Sequence, residues 1–259
     1  MPRFRLFHFL TCAALLVLPS PVALAPAAAP PQEPGKFPYP EKLSYRIEWR
    51  MVTAGNAVIQ LSRTAPDDWN INLNLQSAGL VTRWFRVLDT YQAELQEQFC
   101  GSNSVFDAQE GKRHTVTRLT FENMRHKVEY EEHDLLKNST VKDEVPIAPC
   151  TYEVIGALAA LREMNLQPGK SATLPITNGK KLVYGKVDAQ VKETINVAGN
   201  TYHVIRCEAF LFDNVLFKRK GRLFVWMTDD QDHLPVQLRM QMAFPIGAIN
   251  VELQKHERS

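Results

Sequence analysis

RLFVWMTDDQDHLPVQLRMQMAFPIGAINVELQ, residues 222–254, decides the fold class. Leu234, Val236, Leu238, Met240 and Met242 alternate with Gln237, Arg239 and Gln241. That is the period of a strand with one buried and one wet face. Ile249, Val251 and Leu253 repeat the pattern as the inward side chains of a last strand. Thr228 to His233 and Pro245-Ile246-Gly247 interrupt it with residues that favour turns. Three consecutive strands joined by tight turns are expected. Pro235, which has no amide proton to donate, belongs at a strand start or on an edge.

The same alternation runs upstream. Leu43 to Met51 presents Leu43, Tyr45, Ile47, Trp49 and Met51 on one side. Thr53 to Asn56 reads as a turn into a return strand through Ala57, Ile59 and Leu61. Trp69 to Gln76, Asp89 to Phe99, His114 to Phe121 and Arg125 to Glu131 follow as strands, and Leu135 to Val145, whose pattern is ambiguous, as another short strand with a loop. Beyond residue 171, Ala172–Thr177, Lys181–Val197, Thr201–Phe212 and Leu216–Lys220 continue the series, with Asn178-Gly179 and Ala198-Gly199 as turns. Two stretches break the period. Cys150 to Asn165 reads as a helix, with Thr151 as cap, Glu153 at its positive end and Val154, Ala157, Leu158 and Leu161 as its buried stripe. Gly79 to Leu88 has Leu80, Trp84 and Leu88 four apart, with Val81 and Phe85 beside them, as in a short amphipathic helix. It reads as a cap on an open sheet end, with a partner or membrane-surface patch as the alternative. Together these elements give an all-β, mainly antiparallel meander with one or two short helices. The expected form is one strongly curved sheet, an open barrel or half-barrel with the helix plugging or covering it; a two-sheet sandwich is the alternative.

Residues 1–25 read as a signal peptide. Arg3 and Arg5 precede the apolar run Leu6–Leu18, and Ala23-Leu24-Ala25 is a small-x-small cleavage site. Residues 26–40, rich in Pro and Ala, read as a linker, and 41–256 as a single β-rich domain. Export to the periplasm or cell envelope is expected, and no apolar run after the signal is long enough for a transmembrane helix. Export predicts a disulfide among Cys100, Cys150 and Cys207. Cys207 shares an apolar strand face with Ile205, Ala209 and Leu211, which leaves Cys100–Cys150 as the favoured pair.

Without residues 1–25 the chain has 28 basic and 28 acidic residues, so it lacks the basic footprint of a nucleic-acid-binding protein. It contains no Gly-x-Ser-x-Gly elbow and no phosphate-binding loop, and no cofactor is expected. His114, His126 and His133 lack metal-site spacing and read as solvated strand residues. In TDDQDH, residues 228–233, Asp229, Asp230 and His233 are weak candidates for a metal or catalytic site, against the ordinary preference of aspartate for hairpin turns. Lys218-Arg219-Lys220-Gly221-Arg222 is a basic knot suited to a solvated hairpin end or to acidic headgroups.

Tyr45-x-x-x-Trp49 with Ala54-Gly55, the helix followed by Leu166-x-Pro168-Gly169, the Ala198-Gly199 turn, and Val225-Trp226-Met227-Thr228-Asp229-Asp230 with Leu234-Pro235-Val236 and Ile246-Gly247 form one pattern. It resembles the exported bacterial domain-of-unknown-function family 3108 from about Leu43 to Leu253. This chain departs from that pattern in having Glu153 where the family has Asp, and Gln231-Asp232 where a basic pair is common. The resemblance implies an exported antiparallel β protein of the envelope and supplies no activity, substrate or catalytic residue. The surplus of large apolar side chains, among them Trp49, Phe210, Phe224 and a candidate face of Trp84, Phe85 and Trp226, points to a non-enzymatic binding module. Its target is a lipid-like small molecule or an apolar envelope protein. The alternatives are a metal-assisted enzyme built on the Thr228–His233 turn and an assembly factor that binds a partner through edge strands.

Overall fold

The computed structural model describes residues 40–258. The expected signal peptide and all of the linker before Pro40 lie outside the described residues. Fourteen strands form one antiparallel sheet. In chain order β1 is Glu41–Trp49, β2 Val52–Ala65 and β3 Asp68–Ser77; after α1 (Gly79–Trp84) come β4 Val87–Leu95, β5 Gly101–Glu110, β6 Arg113–Glu122, β7 Lys127–Asp134 and β8 Ser139–Pro146. Helix α2 is Val154–Glu163, and β9 Ser171–Thr177, β10 Leu182–Val197, β11 Asn200–Phe210, β12 Gly221–Thr228, β13 Pro235–Met242 and β14 Ala248–Arg258 complete the chain. The sheet order is β8-β7-β6-β5-β4-β3-β2-β1-β14-β13-β12-β11-β10-β9. Every sequential pair is a hairpin neighbour, except that β1 lies against β14 and β8 does not pair with β9. The meander is therefore a single open sheet, and the sandwich alternative is excluded.

The sheet curls because fourteen twisted strands in one layer cannot stay flat, and because α2 occupies their concave side. Gly156, Ala157, Ala159, Ala160, Leu161 and Arg162 of α2 are all buried. A helix buried on nearly every side belongs inside a core. Its apolar residues pack with Leu61, Trp69 and Ile71 from one half of the sheet and with Ile205, Val225 and Met227 from the other. Small residues allow this fit: a Cβ on Gly156 would stand 3.3 Å from the Phe99 carbonyl oxygen. At the seam, the β9–β10 turn is pressed onto β6 and β7. A Cβ on Gly179 would collide with the Leu119 and Tyr130 side chains.

Several sequence expectations shift. The first turn is Arg50-Met51, both in the left-handed region, and Thr53 to Asn56 lies inside β2. Gly55 serves close approach instead of turning, since a Cβ there would overlap the Gln76 carbonyl oxygen. Leu216 to Lys220 is not a strand; residues 211–220 form a loop folded on Leu211, whose carbonyl accepts the amides of Leu216 and Phe217. Asp89 to Phe99 splits into β4 and a single 3-10 turn, Glu97–Phe99. Leu135 belongs to the β7–β8 turn. Helix α1 stops at Trp84, so Leu88 falls in β4 and the four-residue stripe is broken. Helix α2 starts at Val154: the Thr151 hydroxyl donates to the Ala148 carbonyl at 2.8 Å, and Glu153 occupies the N-cap without a side-chain capping bond. Pro235 opens β13, the strand-start position that its missing proton requires.

Cys100 and Cys150 are joined, and Cys207 is buried and free. Burial pushes the Cys207 thiol up to about 11. The disulfide pins the start of the α2 segment to the β4–β5 turn, beside the Gly101 amide that donates to Thr151 at 3.0 Å. It closes a loop with a sequence separation of 50. Glu153 is buried close by, where Tyr91 donates its hydroxyl to one carboxyl oxygen and the other has no partner. Burial pushes this carboxyl up to about 8.

Both features of this corner can be tested. Replacing Cys100 and Cys150 together by serine lowers unfolding free energy by about 2–4 kcal/mol, the usual value for a loop of this size, read by denaturant melts. For Glu153 the folded pKa lies above the unfolded one, so its stabilisation is complete below about pH 4.5 and is lost as pH rises through about 8. Each pH unit crossed within that window costs about 1.4 kcal/mol, so stability falls by roughly 2–5 kcal/mol across it. Glu153→Gln flattens the profile and melts higher than the parent at pH 8; an unchanged slope would refute the assignment.

Candidate functional site

The seven hairpin connections β1–β2, β3–β4, β5–β6, β7–β8, β9–β10, β11–β12 and β13–β14 gather at one end of the sheet. The α2 segment and the remaining turns gather at the other, together with both termini of the described chain. The two ends differ in chemistry.

At the α2 end a buried ion pair dominates. Arg162, in the last turn of α2, reaches Glu41 of β1 with both terminal nitrogens, at 2.6 and 3.0 Å. Their side chains are 4% and 1% exposed. Glu41 also meets His256 Nε2 of β14 at 2.8 Å, and Arg162 donates to the Asp232 carbonyl at 3.3 Å. The β12–β13 turn closes over this pair. His233 Nδ1–H donates to the Arg162 carbonyl at 2.5 Å, and Arg258 pairs with Asp232. Tyr45 donates its hydroxyl to the Pro235 carbonyl at 2.9 Å, and burial holds that phenol well above its ordinary range.

The weak metal candidates of this turn do not converge. Asp229 pairs with Lys192 at 2.7 Å. Asp230 accepts from the Thr228 hydroxyl at 2.7 Å and from the Asp232 amide at 3.0 Å, the bonding of an aspartate turn. His233 faces the helix carbonyl. Among the described residues no group of three His, Cys, Asp or Glu side chains is placed to hold a metal ion. Of the scattered histidines, His114 pairs with Asp107 at 2.9 Å and His133 meets the Thr140 hydroxyl at 3.2 Å. His126 sits in the β6–β7 turn in a left-handed conformation.

The hairpin end is apolar at its tips. Helix α1 has no buried residue; Leu80, Trp84 and Phe85 are exposed, Trp84 by 78%. Ala78 donates its amide to the Ala54 carbonyl at 2.8 Å, which seats α1 against β2. Phe85 lies over Gly111 of the β5–β6 turn, whose amide donates to the Arg86 carbonyl at 2.7 Å. On the other side the Trp49 indole donates to the Ile246 carbonyl at 2.6 Å, and Arg50 donates to that of Pro245. These bonds make four adjacent connections one contiguous surface. Met51 and Phe244 on it are each 93% exposed. Sequence reasoning found Trp84 and Phe85, placed Met51 on the inward face of the first strand where the structure puts it in an exposed turn, and missed Phe244, which stands in a turn where periodicity carries no signal. Trp226 is not part of this surface. It lies near the far end of β12, half-buried beside Phe224, and its indole donates to Glu193 at 2.5 Å.

The gap between α2 and β1–β3, lined by Leu43, Ile59, Leu61, Ile71 and Leu158, measures about 30 Å³, enough for water-sized molecules. A shallow depression of about 510 Å³ on β6–β8 is lined by charged side chains such as Arg118, Glu131 and Lys142. No helix among the described residues is long and apolar enough to cross a membrane.

Because the Arg162–Glu41 pair is desolvated, removing one partner strands a buried charge. Arg162→Met is expected to lower stability by roughly 3–5 kcal/mol. The double variant Glu41→Leu with Arg162→Leu is expected to recover most of that loss in urea melts. A double variant as unstable as the single one would show that the pair itself, and not the stranded charge, sets the cost.

No curated protein matches the chain. Among solved structures, it resembles a β-barrel-like protein of the domain-of-unknown-function family DUF1849 from Brucella abortus, with a TM-score of 0.57 at 9% identity. That likeness covers 84% of this chain and 97% of that one, and it concerns the fold alone. A protein with a YmcC-like fold from Bacteroides fragilis matches with a TM-score of 0.38 at 6% identity, over 84% of this chain and 95% of that one. The model of the protein family of unknown function DUF3108 matches residues 44–254, nearly the whole curved sheet, and the chain belongs to that family.

Proposed function

We propose that this is an exported envelope protein that works by binding and not by catalysis, and that it binds by docking the hairpin end of its sheet against an apolar partner surface. One observation carries the reading. Of the large apolar side chains exposed in connections between strands, Met51, Leu80, Trp84, Phe85, Leu135, Leu136, Phe217 and Phe244 lie at the hairpin end, and Met124 alone lies at the other. Scattered exposed apolar residues need no explanation, but a contiguous group at one end does. Export accords with the signal-like residues 3–25 and with the Cys100–Cys150 bond. The narrow gap between α2 and β1–β3 argues against carriage of a lipid at that place. The separate engagement of Asp229, Asp230 and His233 argues against chemistry at that turn.

Site-specific photo-crosslinking in the host tests the docking reading. A photoreactive residue at Trp84 or Phe244 is expected to give discrete adducts, and one at Arg125, at the opposite end, is expected to give none. Absence of adducts from all three positions, or equal adducts from all three, refutes docking by this end.

A further inference from the structure

The near balance of charge over the chain hides a separation. Along the contiguous apolar surface stand Arg50, Arg83, Arg86 and Lys112. The neighbouring connections add Lys137, Lys180, Lys181 and the run Lys218 to Lys220. Asp213 is the single acid in all seven connections. The opposite end has the reverse balance, with Asp67, Glu97, Glu163, Asp229, Asp230 and Asp232 against Arg125, Arg162 and Lys170.

Many of these cations are also unneutralised. Lys137 and Lys180 pair with Asp134 and Glu132. Among the described residues Arg83, Arg86, Lys112, Lys218, Arg219 and Lys220 make no ion pair. Elsewhere on the protein ion pairs are frequent: Lys127 alone meets Glu122, Glu129 and Glu144. The cations left without acids therefore cluster where the apolar tips are.

The Arg50-Met51 turn shows how one apolar tip is presented. Both residues hold left-handed backbone, at φ 51° and 65°. A two-residue hairpin turn of this kind favours Asn-Gly, which adopts that region at less cost. Here a long cation and an apolar side chain are held there instead, and the apolar one is almost wholly in solvent. The turn therefore holds Met51 out into solvent at the centre of the apolar surface.

Exposed Trp, Phe, Met and Leu tips within a ring of unpaired Arg and Lys match one kind of surface, an anionic phospholipid bilayer. There the apolar tips enter the acyl boundary and the cations meet phosphate headgroups. We propose that the hairpin end centred on Met51, Trp84, Phe85 and Phe244 docks this protein on an anionic bilayer surface. The proposal rests on the docking reading above and names its partner. The sheet lies on the membrane by its turns and does not span it, and the acidic α2 end points away.

Co-sedimentation of the protein, purified from its host without detergent, tests this with two kinds of vesicle: phosphatidylcholine alone, and phosphatidylcholine mixed with phosphatidylglycerol. Binding is expected to the mixed vesicles only and to weaken as salt rises. Basic residues near an anionic surface add their attractions, so reversing two of them with Arg83→Glu and Arg86→Glu should weaken binding by at least about tenfold. Trp84→Ser with Phe244→Ser should do the same, while Arg125→Glu should bind as the parent does. All five positions are exposed, so these variants keep the fold, and circular dichroism checks that they do. Equal binding to both vesicles, no binding to either, or equal loss from Arg125→Glu overturns the bilayer proposal. If vesicles fail while Trp84 still crosslinks to a protein in the host, docking stands and the lipid partner falls. If both fail, the docking reading falls as well.

Discussion

An arginine carried into an apolar concavity must bring its counter-charge with it, and Arg162 finds Glu41. That requirement organises the molecule. Arg162 lies in the last turn of α2, Glu41 begins β1, and His256 beside them belongs to β14. The pair therefore ties the helix to the two strands that bring the ends of the sheet's chain together. The β12–β13 turn packs over the same pair through Asp232 and His233, so its acids and histidine serve the helix end. A buried ion pair is weak as a source of net stability and strong as a constraint on arrangement, because any other register strands a charge.

The α2 segment crosses from β8 to β9, and the two edge strands stay apart. Tyr152, just before α2, forms a parallel bridge to Ile176 of β9 and so gives that edge part of its missing partner. The disulfide ties the same segment to the β4–β5 turn. Helix α2, rich in alanine, is itself buried in the core that both halves of the sheet share.

Up-and-down topology sorts connections strictly, odd hairpins to one end and the remainder to the other. In such a fold any bias in the composition of alternate turns becomes a polarity of the whole molecule. Here the bias is strong: apolar and basic on one end, acidic on the other. Net charge sums over both ends and is blind to it. A balanced composition argued against a nucleic-acid partner, yet it gave no warning of a basic end.

Period-two alternation was enough to read the strands as an all-β meander, because each strand buries one face and the pattern is local. Turn chemistry such as Asn178-Gly179 and Ala198-Gly199 was legible for the same reason, as was the burial of Cys207. Gly55 was misread because a glycine kept for a close approach to Gln76 looks the same in sequence as one kept for a turn. The boundary of α2 shifted because Thr151 bonds backward to Ala148 and leaves the cap to Glu153. Trp226 stands apart from Trp84 and Phe85, near the α2 end of β12, a relation that no local pattern encodes. Family, strand class and the candidate pairing of Cys100 with Cys150 could be read from the chain alone, since each follows from local pattern or a short inventory of cysteines. The meeting of Arg162 with Glu41, the burial of α2 against both halves of the sheet, and the gathering of turns dozens of residues apart into one apolar, basic end emerge only in the folded molecule, because those contacts depend on the order of the strands in the sheet.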